Sequence, residues 1–133
     1  MSIRSQSRLE PNVLTMAASG AVTAGRGVKI TGARTVTQCG AGDRVDGVAL
    51  SDAASGADVS FALADGSYVA RCIVGTGGTT AGARVTAVAN GLADVGVLGG
   101  GMTAVELAGI ALDTCVAGDM ASVLIQSQVM VKA

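Results

Sequence analysis

The sequence predicts an all-β fold, a small β-barrel or sandwich made of two tandem repeats behind an extended N-terminal arm. Three observations carry that expectation. Twenty glycines are spread at short intervals and the single proline is Pro11, a punctuation that suits turns between short strands. No stretch sustains the i, i+3, i+4 apolar spacing of a helix face. Val59, Phe61 and Leu63 instead alternate with other residues, as do Ala121, Val123 and Ile125, which is the period of a half-buried strand. Finally, three blocks of sequence occur twice in the same order, and a repeat constrains architecture more tightly than local propensity does.

Residues 1–12 come first and read as an arm. They are rich in Ser, Gln and Arg and close on Glu10-Pro11, where the residue before proline is biased to extended geometry. A polar segment of this kind cannot bury enough apolar surface by itself to offset its conformational entropy. Such a segment is either a frayed terminus or, in an assembly, a tether that orders against a neighbour, with Ser2, Ile3, Arg4, Arg8 and Leu9 as candidate inter-subunit contacts.

Residues 13–133 read as a single β domain, with repeat one spanning 21–74 and repeat two 79–133. Thr23–Ile30 (TAGRGVKI) corresponds to Thr80–Ala87 (TAGARVTA) at an offset of 57. Val45–Asp52 (VDGVALSD) and Gly56–Leu63 (GADVSFAL) correspond to Leu107–Thr114 (LAGIALDT) and Gly118–Ile125 (GDMASVLI) at an offset of 62. A glycine-rich insertion at Gly96–Gly101 accounts for the five extra positions. Each copy then reads as a Thr-Ala-Gly turn, a strand, a variable loop, a strand with Gly-Val/Ile-Ala-Leu, a glycine turn and an alternating strand. Asp65-Gly66 is expected to form a hairpin turn, because glycine accepts positive φ without steric cost. Tyr68–Val74 would return as the next strand, and Val129–Val131 would be its equivalent in the second copy.

Composition narrows function. Half the residues are apolar but only Phe61 and Tyr68 are aromatic. Each buried aromatic removes about 150–250 Å² from water, so a core without them is thin and favours support from other subunits. Charged residues make up 14%, nine basic against ten acidic and with no like-charge block, which argues against nucleic acid as a partner. A surface poor in charge offers little repulsion between copies. No run approaches the ~18 apolar residues of a membrane helix, and the N-terminus lacks the apolar core of a signal peptide, so no membrane partner is expected.

Catalytic chemistry has little to work with. Without histidine, Ser-His-Asp and Cys-His arrangements cannot form. Cys39, Cys72 and Cys115 are odd in number and widely spaced, unlike a disulfide framework or a zinc site, and read as buried free thiols. The run Gly75–Thr80 (GTGGTT) lacks the lysine of a phosphate loop and precedes a strand-like segment. Asp43 and Asp46 lie in one loop and could in principle face a hard cation, but a solvated turn with a local ion pair from Asp43 or Asp46 to Arg44 is the favoured reading, because surface ion pairs are common. The expectation is a protein that is not an enzyme and carries no cofactor or metal.

The ordered set of Ala-Gly-x-x-Val, Gly-Val/Ile-Ala-Leu and an Ala-Gly-Asp type turn, occurring twice between Ala21 and Gln126, resembles the small capsid cement, or decoration, proteins of tailed bacteriophages. The matching positions are Gly25, Gly47, Ala49, Leu50 and Gly56 in the first copy and Gly82, Gly109, Ala111, Leu112 and Gly118 in the second. All read as turn and core positions. The resemblance implies a homotrimer on the virion's capsid surface, made in the host cytoplasm, that binds the major capsid protein and stabilises the shell, with Ser2, Ile3, Arg4, Arg8 and Leu9 of the arm as candidate capsid or inter-subunit contacts. A cellular β-barrel binding module without catalysis is the alternative. Such a module would be expected to display exposed aromatics for recognition.

Overall fold

The computed structural model describes residues 11–95 and 103–132, and these are all-β. Strands β1 (Val13–Ala18), β2 (Gly27–Gly32), β3 (Thr35–Gln38), β4 (Gly47–Ala49) and β5 (Asp58–Leu63) close a barrel in the order β1-β3-β2-β4-β5. Strands β6 (Asp65–Ile73), β7 (Arg84–Val88), β8 (Gly91–Asp94), β9 (Thr103–Ala111) and β10 (Met120–Lys132) form a second sheet, ordered β6-β10-β9-β7-β8. Its two ends approach through a parallel bridge between Val74 and Leu92. Glycines with positive φ, including Gly25, Gly56, Gly82 and Gly118, turn the chain between strands, at conformations that cost other residues about 1–2 kcal/mol.

The two groups of strands share connectivity and register. In the first, β1 pairs with β5 through Leu14–Phe61 and Ala17–Asp58, and β2 with β3 through Val28–Gln38. In the second, β6 pairs with β10 through Ala70–Val123 and Ile73–Met120, and β7 with β8 through Val85–Asp94. Loop bonds recur likewise. Gly25 N–H donates to Ala49 O at 2.9 Å and Gly82 N–H to Ala111 O at 2.7 Å. A side chain also caps the same turn twice, Gln38 Oε1 accepting from Thr23 N–H and Asp94 Oδ1 from Thr80 N–H.

The strand pairing differs from the sequence expectation at one junction. β5 is hydrogen-bonded to β1 and β4, and β6 to β10, so Asp65-Gly66 does not close a hairpin. Tyr68–Ile73 belongs to the first strand of the second group, in the register that β1 holds in the first. Gly66 has φ 83° and lies in a bulge of β6, where residues 66–68 face the single β10 residue between Leu124 and Gln126. A glycine with positive φ serves a bulge as readily as a turn, and sequence alone does not separate the two. Val129 likewise continues the β9–β10 ladder, pairing with Glu106. Gly96–Gly101 and arm residues Met1–Glu10 lie outside the described residues.

Two apolar clusters fill the body. Phe61 is fully buried inside the first barrel with Ala18, Val22, Val28, Val36, Ala49 and Val59. The second cluster joins the inward side chains of β6–β10, among them Cys72, Leu92, Val123 and Ile125, to Cys39, Val45, Val48 and Ala62 of the first group. Val48 and Ala62 are cross-strand partners on the outer wall of the first barrel. That wall therefore packs against the interior of the second group.

Gly47 and Gly109 hold matching places where β4 crosses β5 and β9 crosses β10. A Cβ at Gly47 would lie 2.5 Å from Ala62 O, and one at Gly109 2.1 Å from Leu124 O. Gly118 has open space around it. Gly47→Ala and Gly109→Ala should each lower stability in urea denaturation by about 1–3 kcal/mol or more, as overpacking does. Gly118→Ala should cost only the ~1–2 kcal/mol of its left-handed backbone.

Candidate interaction surface

Leu50 and Leu112 occupy matching positions, each donating its backbone N–H to the matching serine carbonyl, Ser60 O and Ser122 O. Both read as core in the sequence. Both are in fact surface residues, 41% and 47% exposed. The reason is strand alternation: Ala49 points into the barrel, so Val48 and Leu50 point out. Val48 is buried because the second group covers it, and Leu50 lies beyond that cover.

Leu50 sits on the rim of a groove of about 240 Å³ between the two groups, lined by Ala24, Gly25 and Val48 on one side and Tyr68, Arg71 and Met120 on the other. Gly25 lets the walls approach. Its Cα faces Ile73 and Met120 so closely that a Cβ would meet both at 3.2 Å, and Gly25 O accepts the Ile73 N–H at 3.0 Å. Of the two aromatics, Phe61 is inside the first barrel and Tyr68 lines this groove. A single half-buried tyrosine is a sparse platform for peptide or sugar recognition.

The loop carboxylates are occupied by their own chain. Asp43 accepts the Gly40 N–H and faces Lys29 Nζ at 3.1 Å, and together these hold its carboxyl below the ordinary value. Asp46 takes the Arg44 guanidinium at 2.8 Å and the Ile30 N–H at 2.8 Å, and that pairing raises the arginine's pKa. Ion pairs this exposed contribute little stability, so Asp46 matters chiefly as a pin on β2. Among the described residues no group of three or more His, Cys, Asp or Glu side chains could hold a metal ion.

The Gly75–Thr80 run is not shaped as an anion cradle. Five of its six N–H groups are spent inside the protein, Gly75 on Leu92 O, Gly78 on Gly75 O, Thr79 on Cys115 O, Thr76 on Asn90 Oδ1 and Thr80 on Asp94 Oδ1. Gly75 and Gly78 are needed for packing, since a Cβ would lie 2.3 Å from Val88 Cγ2 and 2.7 Å from Cys115 O respectively. Arm residues Ser2, Ile3, Arg4, Arg8 and Leu9 lie outside the described residues. The body meets the arm at Asn12, whose carbonyl accepts the Leu63 N–H at 2.8 Å and whose amide donates to Asp65 at 2.5 Å.

The cysteines are free thiols, Cys39 and Cys72 buried and Cys115 half-buried. Burial, reinforced by Asp43, pushes the Cys39 thiol up to about 12, and burial alone does the same for Cys72. Neither holds reactive thiolate near neutrality. A thiol-reactive dye at pH 8 should therefore label the native chain rapidly at Cys115 alone and label all three cysteines after denaturation. Rapid native labelling of Cys39 or Cys72, read by peptide mapping, would contradict the packing described.

No protein-family model and no curated protein sequence matches the chain. Among solved structures, the crystal structure of the head fiber gp8.5 N base in bacteriophage phi29 is similar, with a TM-score of 0.66 and 16% identity over 88% of this chain and 95% of that one. At that identity the likeness shows a shared fold: the chain has the all-β architecture of that fiber base.

Proposed function

We propose that the chain is a structural virion protein of a tailed bacteriophage that binds the outer surface of the capsid and stabilises it as a cement or decoration protein. The carrying observation is the likeness of nearly its whole length to the base of a phage head fiber. The chemistry of the surface supports the reading. Cys39 and Cys72 are buried, Asp43 and Asp46 are paired within the chain and five N–H groups of Gly75–Thr80 are bonded internally, all of which suits an adhesive role. The partners are the major capsid protein and two further copies of this chain in a homotrimer, and the site of action is the capsid surface. On this reading the arm is the tether and the β domain the clamp.

The test separates arm from body. Because Asn12 is bonded to Leu63 and Asp65, the truncation should remove Met1–Glu10 and leave Asn12 in place. The truncated protein should keep the wild-type circular dichroism and melting temperature yet occupy shells of the same phage's major capsid protein poorly, measured by co-sedimentation and by shell survival on heating. Full-length protein that fails to bind such shells would sink the reading. Truncated protein that binds and protects like wild type would remove the arm from the contact.

A further inference from the structure

The wall of the first barrel covers the second group at one end only, and among the described residues two matching surfaces are left without a partner. At the end where β6 begins, the interior of the second group is closed by the outer wall of the first, formed by Cys39, Val45, Val48 and Ala62. Its inward residues there, Ala70, Ala87 and Ile125, are buried. Their counterparts by register in the first barrel are Leu14, Ile30 and Leu63. Among the described residues no second wall covers these: Leu14 is 38% exposed against 2% for Ala70, and Ile30 and Leu63 are only half-buried.

The opposite half is also unpaired. The counterparts of Val48 and Ala62 on the outer wall of the second group are Ile110 and Leu124, which pair with each other across β9 and β10 and are half-exposed where Val48 and Ala62 are buried. Gly25, packed against Ile73 and Met120, corresponds to Gly82, which has nothing within 4 Å of its Cβ position. Leu112 stands on the rim of this free wall as Leu50 stands on the rim of the covered one.

We infer that the free outer wall of the second group, at Ile110, Leu112 and Leu124, docks on the open end of the first barrel, at Leu14, Ile30 and Leu63, of a second copy. The contact continues between molecules the wall-on-barrel packing already present within one. The open end is apolar at Leu14, Ile30 and Leu63, and the wall is apolar at Ile110, Leu112 and Leu124 with Arg84 beside Ile110 in register. The second copy is the occupant because the matching wall already fits the matching place inside the chain. The intermolecular contact cannot copy the internal one in full. The counterpart of Ile73 is Ala17, whose N–H is already given to Arg34 O, and Arg84 and Leu124 stand where the covered wall has Gly27 and Ala62. Side-chain packing rather than a backbone bond therefore carries it. Such a contact is head-to-tail, and around a rotation axis it closes a ring. The inference rests on the self-association proposed above but not on capsid binding.

Leu14→Asp and Leu112→Asp probe the two halves, and the exposed Val116→Asp, off both surfaces, is the control. Light scattering should show wild type and V116D as oligomers and L14D and L112D as monomers, all with wild-type circular dichroism. An equimolar mixture of L14D and L112D should then form dimers, because each supplies the half the other lacks. A face-to-face contact of identical surfaces gives no such rescue. A mixture that stays monomeric, or single variants that keep the wild-type mass, overturns the inference. A monomeric wild type overturns it too, and points to residues 1–10 of the same copy as the cover for the open end. If the complementation succeeds and the protein does not bind shells, the capsid reading alone has failed.

Discussion

The packing of Val48 and Ala62 against the interior of the second strand group is the constraint on which the rest depends. A chain with one buried aromatic, Phe61, builds its cores from Val, Ala, Ile, Leu and Cys, each removing modest area from water. A five-stranded group filled with such residues and open at one end leaves apolar side chains wet. Setting the wall of the first barrel on the end of the second group seals one opening and enlarges that group's core with Cys39, Val45, Val48 and Ala62. Gly25 makes the approach possible, and the Gly25–Ile73 backbone bond sets its register.

That arrangement explains how residues with the same local role come to differ in size. Where the wall is covered, the chain carries Gly27 and Ala62. At the matching uncovered places it carries Arg84 and Leu124. Where the barrel end is sealed, the inward residue is Ala70. Where it is open, the residue is Leu14. Local strand geometry is shared by the pairs, so the differences follow from what lies across the interface. The buried thiols Cys39 and Cys72 and the loop carboxylates Asp43 and Asp46 are likewise turned to the protein's own structure.

Much of this was legible in the sequence, for identifiable reasons. The all-β class followed from glycine spacing and from alternation at Val59–Leu63 and Ala121–Ile125. The matched blocks at Thr23 and Thr80, and at Gly47 and Gly109, were visible because positive-φ turns at Gly25 and Gly82 and close approaches at Gly47 and Gly109 favour glycine in both copies. The start of each group was hidden. Val13–Ala18 (VLTMAA) and Val69–Val74 (VARCIV) share a register but little sequence, because one faces an open end and the other a sealed one. Leu50 and Leu112 were misread as core because Gly-Val-Ala-Leu is apolar at every position, so its pattern does not reveal which side faces in. The surfaces proposed for contact between copies were illegible for the same reason, since exposure depends on what the other barrel covers.

The central claim is that the two groups form one cooperative body through the shared cluster, and differential scanning calorimetry tests it most directly. The account predicts a single transition whose van't Hoff enthalpy per cooperative unit equals the calorimetric enthalpy of the whole chain. Two resolved transitions, each matching about half the chain, would contradict it.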